Sequence, residues 1–512
     1  MEIINSIMNW VMKKRIHDIE LFLKYPIEVQ KELFTNLIKT ARKTEFGKAY
    51  GFRDIKNIGE FKQRVPIHTY EDFYPYIRKL LNGKQNVVWP TEIKWFAKSS
   101  GTTNAKSKFI PVSQEALTDC HFKGGKDMLS IYFNNHPDSK MFTGKGLAIG
   151  GSQQINQFDS NSNSYYGDVS AVIMSNLPFW AQLARTPKLE IALMSEWEEK
   201  IEKMAITTIE ENVTNIVGVP TWTVVLLQRI LEITGKDHIH EVWPNLEVFI
   251  HGAVSFDPYE AIFKKLAPSS KMNYLETYNA SEGFFGIQDQ NDSRDLLLML
   301  DYGIFYEFIP LENIHDKQPQ TIGLEEVKLD KNYALVISTN AGLWRYMIGD
   351  TVKFTCLDPY RIRISGRTKH FINAFGEELI VENAEYAIKK ACEKTNAIIG
   401  DYTAGPRYID TENKGGHEWI IEFNELPSDR KSFVNVLDHA LKSINSDYEA
   451  KRYGDIALEA PVIHIAKPGT FYKWMKRRGK LGGQHKVPRL SNNREFLEDI
   501  LSMMNGNSSN SI

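Results

Sequence analysis

Cysteine is scarce: the 512 residues hold three, Cys120, Cys356 and Cys392. Their wide separation excludes a CxxC zinc or redox motif and argues against a disulfide framework. A reducing, cytoplasmic compartment is the expectation. No run of 18 apolar residues occurs, so no membrane-spanning helix is expected. At the N-terminus Ile3, Ile4, Ile7, Met8 and Val11 meet Lys13, Lys14 and Arg15 before a secretion signal could be complete, and the stretch reads as an amphipathic helix. Net charge is also nearly absent, 62 Lys+Arg against 64 Asp+Glu, so there is no overall positive field to hold nucleic acid or an acidic membrane. No internal repeat is found. What is present, 42% apolar, 12% aromatic and 25% charged residues, is the composition of folded domains, with length for about three domain-sized units.

Residues 1 to about 85 carry helical apolar spacing, as in Val29, Leu33, Leu37 and Ile38, with breaks at Gly47 and Gly51. From about 93, short β-like runs alternate with helices: Ile93 to Ala97, Gly146 to Ile149, Asn215 to Val219, Leu246 to Ile250 and Met272 to Thr277. Such alternation predicts an α/β body. Ile216 to Val219 runs into Pro220, a residue suited to a first helical turn, so a strand passes straight into a helix there. Between 303 and 365 the strands are closely spaced, which suggests a small antiparallel sheet or barrel. A second, smaller α/β pattern begins after Gly366, and the Asn/Ser-rich residues 505–512 read as a disordered tail. The division expected is 1–366 as a large N-terminal domain, 367–376 as a hinge and 377–504 as a mobile C-terminal domain.

The densest chemical signal is Ser99-Ser-Gly-Thr-Thr-Asn-Ala-Lys-Ser-Lys-Phe-Ile-Pro111 after an expected strand. Gly101 allows successive N–H groups to face one anion, the hydroxyls of Ser99, Ser100, Thr102 and Thr103 add donors, and Lys106 or Lys108 adds charge. A solvated Ser/Thr turn is the alternative. Tyr274-Leu-Glu-Thr-Tyr-Asn-Ala-Ser-Glu-Gly283 reads as a strand ending in a polar turn, where Tyr278 could meet a base and Glu282 a magnesium ion. The plainer reading is a core tyrosine beside a loop glutamate. In Leu343-Trp-Arg-Tyr-Met-Ile-Gly-Asp350 the aspartate could accept two ribose hydroxyls or simply occupy a turn. Two further stretches are Arg363 to Glu378, at the expected boundary, and Gly482-Gly-Gln-His-Lys-Val-Pro-Arg489.

In this order the motifs resemble those of the adenylate-forming superfamily, and more closely the auxin-responsive Gretchen Hagen family of acyl acid–amido synthetases. The resemblance covers most of the chain and includes Pro26-Ile-Glu-Val-Gln30, Thr44-Glu-Phe-Gly-Lys48 and Gly51-Phe52. It implies that Ser99, Ser100, Gly101, Thr102, Thr103 and Lys108 cradle the ATP phosphates. Gly252 and Ala253, after the strand Leu246 to Ile250, would line the adenine with Tyr278; Tyr278 belongs to a Tyr278-x-x-Ser281-Glu282 motif in which Ser281 would also contact the nucleotide and Glu282 would bind Mg²⁺, and Asp350 and Arg367 would hold the ribose. Lys486 would be the mobile catalytic lysine. There are departures: Asn104 replaces a glycine usual in the loop, Asn279-Ala280 replaces the usual small or serine pair, and Lys369 stands where the wider superfamily often has a hinge aspartate.

The implied reaction is adenylation of a carboxylic acid by ATP, followed by transfer of the acyl group to the amine of an amino acid. The phosphate and ribose motifs do not distinguish this from transfer to the thiol of coenzyme A. A non-catalytic relative is disfavoured because Glu282, Asp350 and Lys486 all persist. The basic stretch Lys473 to Arg489 has seven Lys/Arg and no acid, as a nucleic-acid module would, but a segment that meets a triphosphate is also basic. Gly144 to Gly150 lacks G-x-G-x-x-G spacing, and His238-Ile-His240 with Glu241 reads as a polar helix end rather than a metal site. Tyr165, Tyr166, Phe179 and Trp180 are candidates for an acyl pocket or for core. The acid and the oligomeric state are not legible.

Overall fold

The computed structural model describes residues 15–506 apart from 100–107, 151–152, 156–163, 195, 257–258, 315, 317, 369–370, 410–413, 456 and 479–486. From residue 15 to 81 the chain is largely helical, as expected, and residues 1–14, where an amphipathic helix was expected to begin, lie outside the described residues. Helix α1 is Pro26–Ala41, with proline in its first turn. Helix α2, Tyr70–Leu81, starts at Thr69, whose side chain accepts the amide of Asp72 while the Asp72 carboxylate accepts the amide of Thr69. These helices cover one side of a mixed sheet: the buried amide of Gln30 donates to the carbonyls of Leu300 and Ile304.

The strands in chain order are β1 Trp95–Ser99, β2 Lys108–Val112, β3 Lys145–Ala148, β4 Gln153–Ile155, β5 Tyr165–Gly167, β6 Arg185–Thr186, β7 Val213–Val217, β8 Val248–Gly252, β9 Asn273–Ala280, β10 Gly283–Gln288, β11 Leu296–Leu298, β12 Ile304–Pro310, β13 Asn332–Thr339, β14 Tyr346–Leu357 and β15 Tyr360–Arg367. The largest sheet has eleven strands in the order β12-β13-β14-β15-β11-β10-β9-β8-β7-β3-β6. Pairing is parallel from β6 to β9 and antiparallel from β9 to β12. The strands β1, β2, β4 and β5 form a smaller sheet beside it. Helix α3, Lys123–Asn135, packs Tyr132 and Phe133 on Val248, Ile250 and Leu275. Helix α4, Val169–Ser175, stands beside β1 and β5. Pro220 opens helix α5, Pro220–Thr234, as its position after β7 predicted.

The closely spaced strands between 303 and 365 are antiparallel as expected, but they are not a separate sheet or barrel. Leu296 and Leu297 of β11 pair with Ile362 and Arg361 of β15, which joins them edge-on to the parallel strands. Gly349-Asp350, for which a turn is one of two readings, lies within β14 with Gly349 at φ +96°, so the strands expected over 344–348 and 352–356 are one. Such long-range edge pairing leaves no local pattern, which is why strand spacing alone suggested closure.

After β15 come β16 Phe371–Ile372, β17 Leu379–Ile380, helix α6 Val381–Thr395, the strands β18 Ile398–Arg407, β19 Gly416–Glu425 and β20 Val462–Ala466 in one three-stranded sheet, and helix α7 Arg430–Ile444. This second α/β unit touches the first through Thr221 Oγ1 to the Phe375 carbonyl at 3.2 Å, Tyr259 OH to the Ala374 carbonyl at 2.6 Å, and the Lys451 ammonium 5.3 Å over the Trp222 ring. Helix α8, Glu495–Gly506, buries Leu497 and Ile500 and takes in the first two residues of the stretch expected to be a tail; residues 507–512 lie outside the described residues. Among the described residues no helix is long and apolar enough to cross a membrane.

Candidate active site

Parallel strands carry their ligands at their carboxyl ends, and there the chain forms an open cavity of about 1640 Å³. Ala148, Ile149 and Gly150 at the end of β3, Val217 and Gly218 at the end of β7, Gly252 and Ala253 at the end of β8, and the β9–β10 turn all face it. Gly252 sits opposite Thr277, and a Cβ on it would lie 2.4 Å from the Thr277 carbonyl oxygen, so no side chain fits there. Ala253 follows with φ +69°, a left-handed conformation unusual for alanine. Together they form a bare backbone ledge that admits a flat ligand.

The strand-and-turn expected at 274–283 is a hairpin, with Ala280 opposite Gly283 and Ser281-Glu282 between them. Tyr278 is buried and donates its hydroxyl to Asp350 Oδ2 at 2.6 Å. Asp350 Oδ1 accepts Arg367 Nε at 2.8 Å, and Arg367 Nη2 reaches Glu378 Oε1 at 3.0 Å. Asp350 and Arg367 face each other in the β14–β15 register. β11 pairs only with the first part of β15, at Arg361 and Ile362, so Gly366 and Arg367 are paired on the β14 side alone among the described strands. Each carboxylate oxygen keeps an acceptor site beyond its one bond, so Asp350 can still take hydroxyl protons.

Burial pushes the Glu282 carboxyl up to about 7; Lys108 opposes this and Asp350 adds to it. Burial pulls the Arg367 guanidinium down, but Glu378 and Asp350 outweigh it and the net shift is upward. The phenol of Tyr278 is raised well above its ordinary value, first by burial and then by Asp350. At neutral pH this end of the cavity therefore holds a neutral tyrosine, a fixed cation and a carboxylate with unusual affinity for positive charge.

Ser99 and Lys108 are paired at the ends of β1 and β2 and both line the cavity. The Lys108 ammonium lies 5.6 Å from the Tyr70 ring centre. Ser100, Gly101, Thr102 and Thr103 fall outside the described residues, as do Lys369 and Lys486. Ser281 faces the cavity beside Glu282. Arg489 is held against the second sheet, with an ion pair to Asp401 and its guanidinium 4.6 Å over the Tyr402 ring.

Other candidates resolve differently. Tyr165 packs on Trp95 and Tyr166 on Phe109, so both belong to the small sheet rather than the cavity wall; the side chains of Phe179 and Trp180 lie outside the described set. His240 bonds the Leu246 carbonyl at a short helical turn, and no cluster of three metal-ligating side chains occurs among the described residues. Burial raises the Cys120 thiol to about 12 and lowers its neighbour His121 to about 4, which leaves both uncharged and inert as a nucleophile–base pair.

Sequence reasoning missed three groups. Glu378 was quoted within a motif but given no role, although it holds Arg367. Glu276 and His251, partners across β9 and β8, also face the cavity; burial takes Glu276 up to about 7 and His251 down to about 3. Strand alternation at 272–280 carried that signal for Glu276, since it places residues 276 and 278 on one face.

The model of the GH3 family N-terminal domain matches residues 15–272, that of the central domain 297–367 and that of the C-terminal domain 382–495. The chain belongs to the GH3 family. The resemblance seen in the motifs is borne out. Among similar GH3 proteins are the indole-3-acetic acid-amido synthetase GH3.3 of Arabidopsis thaliana, 23% identical with 90% of this chain and 89% of that protein covered, and the jasmonoyl–L-amino acid synthetase JAR4 of Nicotiana attenuata, 25% identical with 93% and 92% covered. A solved GH3.15 acyl acid amido synthetase shares the fold at TM-score 0.58 and 16% identity, covering 93% of each chain. A 2-hydroxyisobutyryl-CoA ligase does so at TM-score 0.55 and 12% identity, covering 94% of this chain and 92% of that one.

Proposed function

We propose that this GH3 chain is an ATP-dependent ligase that adenylates a carboxylic acid and passes the acyl group to the amino group of an amino acid. The observation that carries the reading is the Tyr278–Asp350–Arg367–Glu378 chain of hydrogen bonds at the carboxyl ends of the sheet, beside the bare ledge of Gly252 and Ala253. That arrangement suits a nucleoside: a flat base on the ledge against Tyr278, and ribose hydroxyls on Asp350 steadied by Arg367. Ser99 and Lys108 face the same cavity and, with Ser100, Gly101, Thr102 and Thr103, would receive the phosphates.

Glu282 fits a magnesium ion, since one carboxylate plus nucleotide phosphates is the usual protein share of such a site and the neighbouring acids raise its attraction for a cation. When bound, Mg²⁺ supplies charge neutralisation at the phosphates. A carboxylate oxygen of the acid attacks the α-phosphorus of ATP, the bond to the β-phosphate oxygen breaks, and an acyl-adenylate and pyrophosphate result. The amine nitrogen then attacks the acyl carbon, loses a proton and expels AMP. No covalent protein nucleophile is needed; the residues align the reactants, neutralise charge and keep water from the mixed anhydride. Lys486 is assigned the α-phosphate by its motif.

Residues 1–366 are assigned to ATP and acid, 367–376 to a hinge and 377–504 to a C-terminal body that rotates between the half-reactions. A cytoplasmic site of action accords with three cysteines that form no disulfide among themselves. The test is pyrophosphate release from ATP and Mg²⁺ over a panel of aryl, indolyl and fatty acids, in wild type and Lys486→Ala. Acid-dependent release lost in the variant is the expected result; no release with any acid contradicts the reading, and acceleration by coenzyme A alone moves the protein to thioester formation.

A further inference from the structure

The same cavity continues away from the nucleotide end, between the sheet floor and helices α3 and α4, with Met128, Leu129, Phe142, Ile173, Leu177 and Ala181 among its walls. Its floor there carries one polar row. In the β6-β3-β7 register Arg185 stands opposite Gly146, and Gly146 opposite Asn215, so the three occupy one face of neighbouring strands. Gly146 leaves a notch between the two side chains, and the Asn215 amide leans over it: a Cβ at 146 would meet Asn215 Oδ1 at 2.6 Å.

Arg185 is poorly satisfied in this apolar setting. Its Nη1 donates to the Pro187 carbonyl at 3.0 Å, its Nε is buried without a hydrogen-bond partner, and no carboxylate among the described residues pairs with it. Burial lowers its pKa, and no acidic neighbour among the described residues compensates. A guanidinium stays charged under such conditions, and holding it there is unfavourable unless an anion completes it. Its planar fork matches a carboxylate or similar oxyanion.

The distance from this row to the nucleotide ledge limits what can bridge them. Asn215 is level with Val248, four residues before Gly252 on β8 and roughly 13 Å along the strand, and Arg185 stands three strands away from β8, roughly 14 Å sideways, so about 19 Å separates the Arg185 backbone from the ledge. What the arginine's own length leaves of that gap suits an extended aryl or alkyl body rather than a short one.

We infer that the acid activated here carries a second anionic group at its far end, a carboxylate or equivalent oxyanion, held by Arg185 with Asn215 beside it. The inference rests on the adenylation reading above. An apolar body lies between the two charged ends, one presented to ATP and the other to Arg185.

The test compares pyrophosphate release, without any amino acid, for α,ω-alkane and para-aryl dicarboxylic acids against their monomethyl esters. At least one diacid is expected to exceed its monoester in kcat/KM by about tenfold or more, the worth of one desolvated charge-assisted hydrogen bond. Arg185→Gln is expected to collapse that ratio through KM, and Arg185→Lys to retain part of it. Because each ratio is taken within one variant, a general loss of folded enzyme does not imitate the effect. A wild-type ratio of one or less, or a ratio unchanged in Arg185→Gln, overturns the inference. So does a defect confined to amide formation, which would assign Arg185 to the carboxylate of the acceptor amino acid. If no acid releases pyrophosphate, the adenylation reading fails by itself, and calorimetric binding of the same pairs to wild type and Arg185→Gln decides the anion site: diacid-selective binding lost in the variant supports it, and equal binding overturns it.

Discussion

Asp350 bonds Tyr278 and Arg367 at once, so its replacement frees two neighbours as well as removing a charge. Asp350→Asn is expected to raise KM for ATP about tenfold to a hundredfold, as hydrogen bonds to charged groups are worth; titration of initial rates with ATP checks this, with Tyr278→Phe the milder variant. Glu276 makes a separate prediction about stability. Its folded pKa of about 7 lies above the ordinary carboxylate value, so the folded chain keeps a proton that the unfolded chain gives up. Stability from this group is therefore full below the unfolded pKa and is lost as pH rises to about 7. Glu276→Gln should raise the melting temperature at pH 8 and leave it nearly unchanged near pH 4, which scanning calorimetry at the two pH values would show.

At the scale of elements, the buried ion pair Arg345–Glu307 ties the N-terminal helices to the antiparallel strands. Arg345 donates to both Glu307 oxygens at 3.0 Å and to the carbonyls of Lys62 and Val65. Arg345→Met strands a buried carboxylate and is expected to cost about 3–5 kcal/mol in chemical denaturation, while adding Glu307→Leu should recover much of the loss. The sequence showed Arg345 within a motif and said nothing of Glu307, because their meeting depends on two strands far apart in the chain. What was legible followed from local physics. Pro220 after an apolar run marked a strand entering a helix, and Tyr278 to Glu282 marked a polar turn after a strand. What was not legible is set by register: that β11 closes the antiparallel strands onto the parallel ones, that Glu378 reaches Arg367, and that Gly146 lies between Arg185 and Asn215. No spacing along the chain encodes those neighbours.

For the whole molecule, the proposed rotation about 367–376 makes the contacts between the two α/β units state-dependent. A cross-link at the Trp222–Lys451 contact is expected to leave at most one half-reaction, and full turnover by the cross-linked protein would contradict the rotation. The central claim, that the cavity makes an acyl-adenylate for an amine, is tested most directly by a two-stage single turnover. Enzyme, ATP, Mg²⁺ and an accepted acid are mixed first, and the bound acyl-AMP is measured by mass spectrometry; amino acids or coenzyme A are then added. Acyl-AMP is expected in the first stage and its conversion to an amide by an amino acid in the second. Absence of acyl-AMP, or its consumption only by coenzyme A, would contradict the claim.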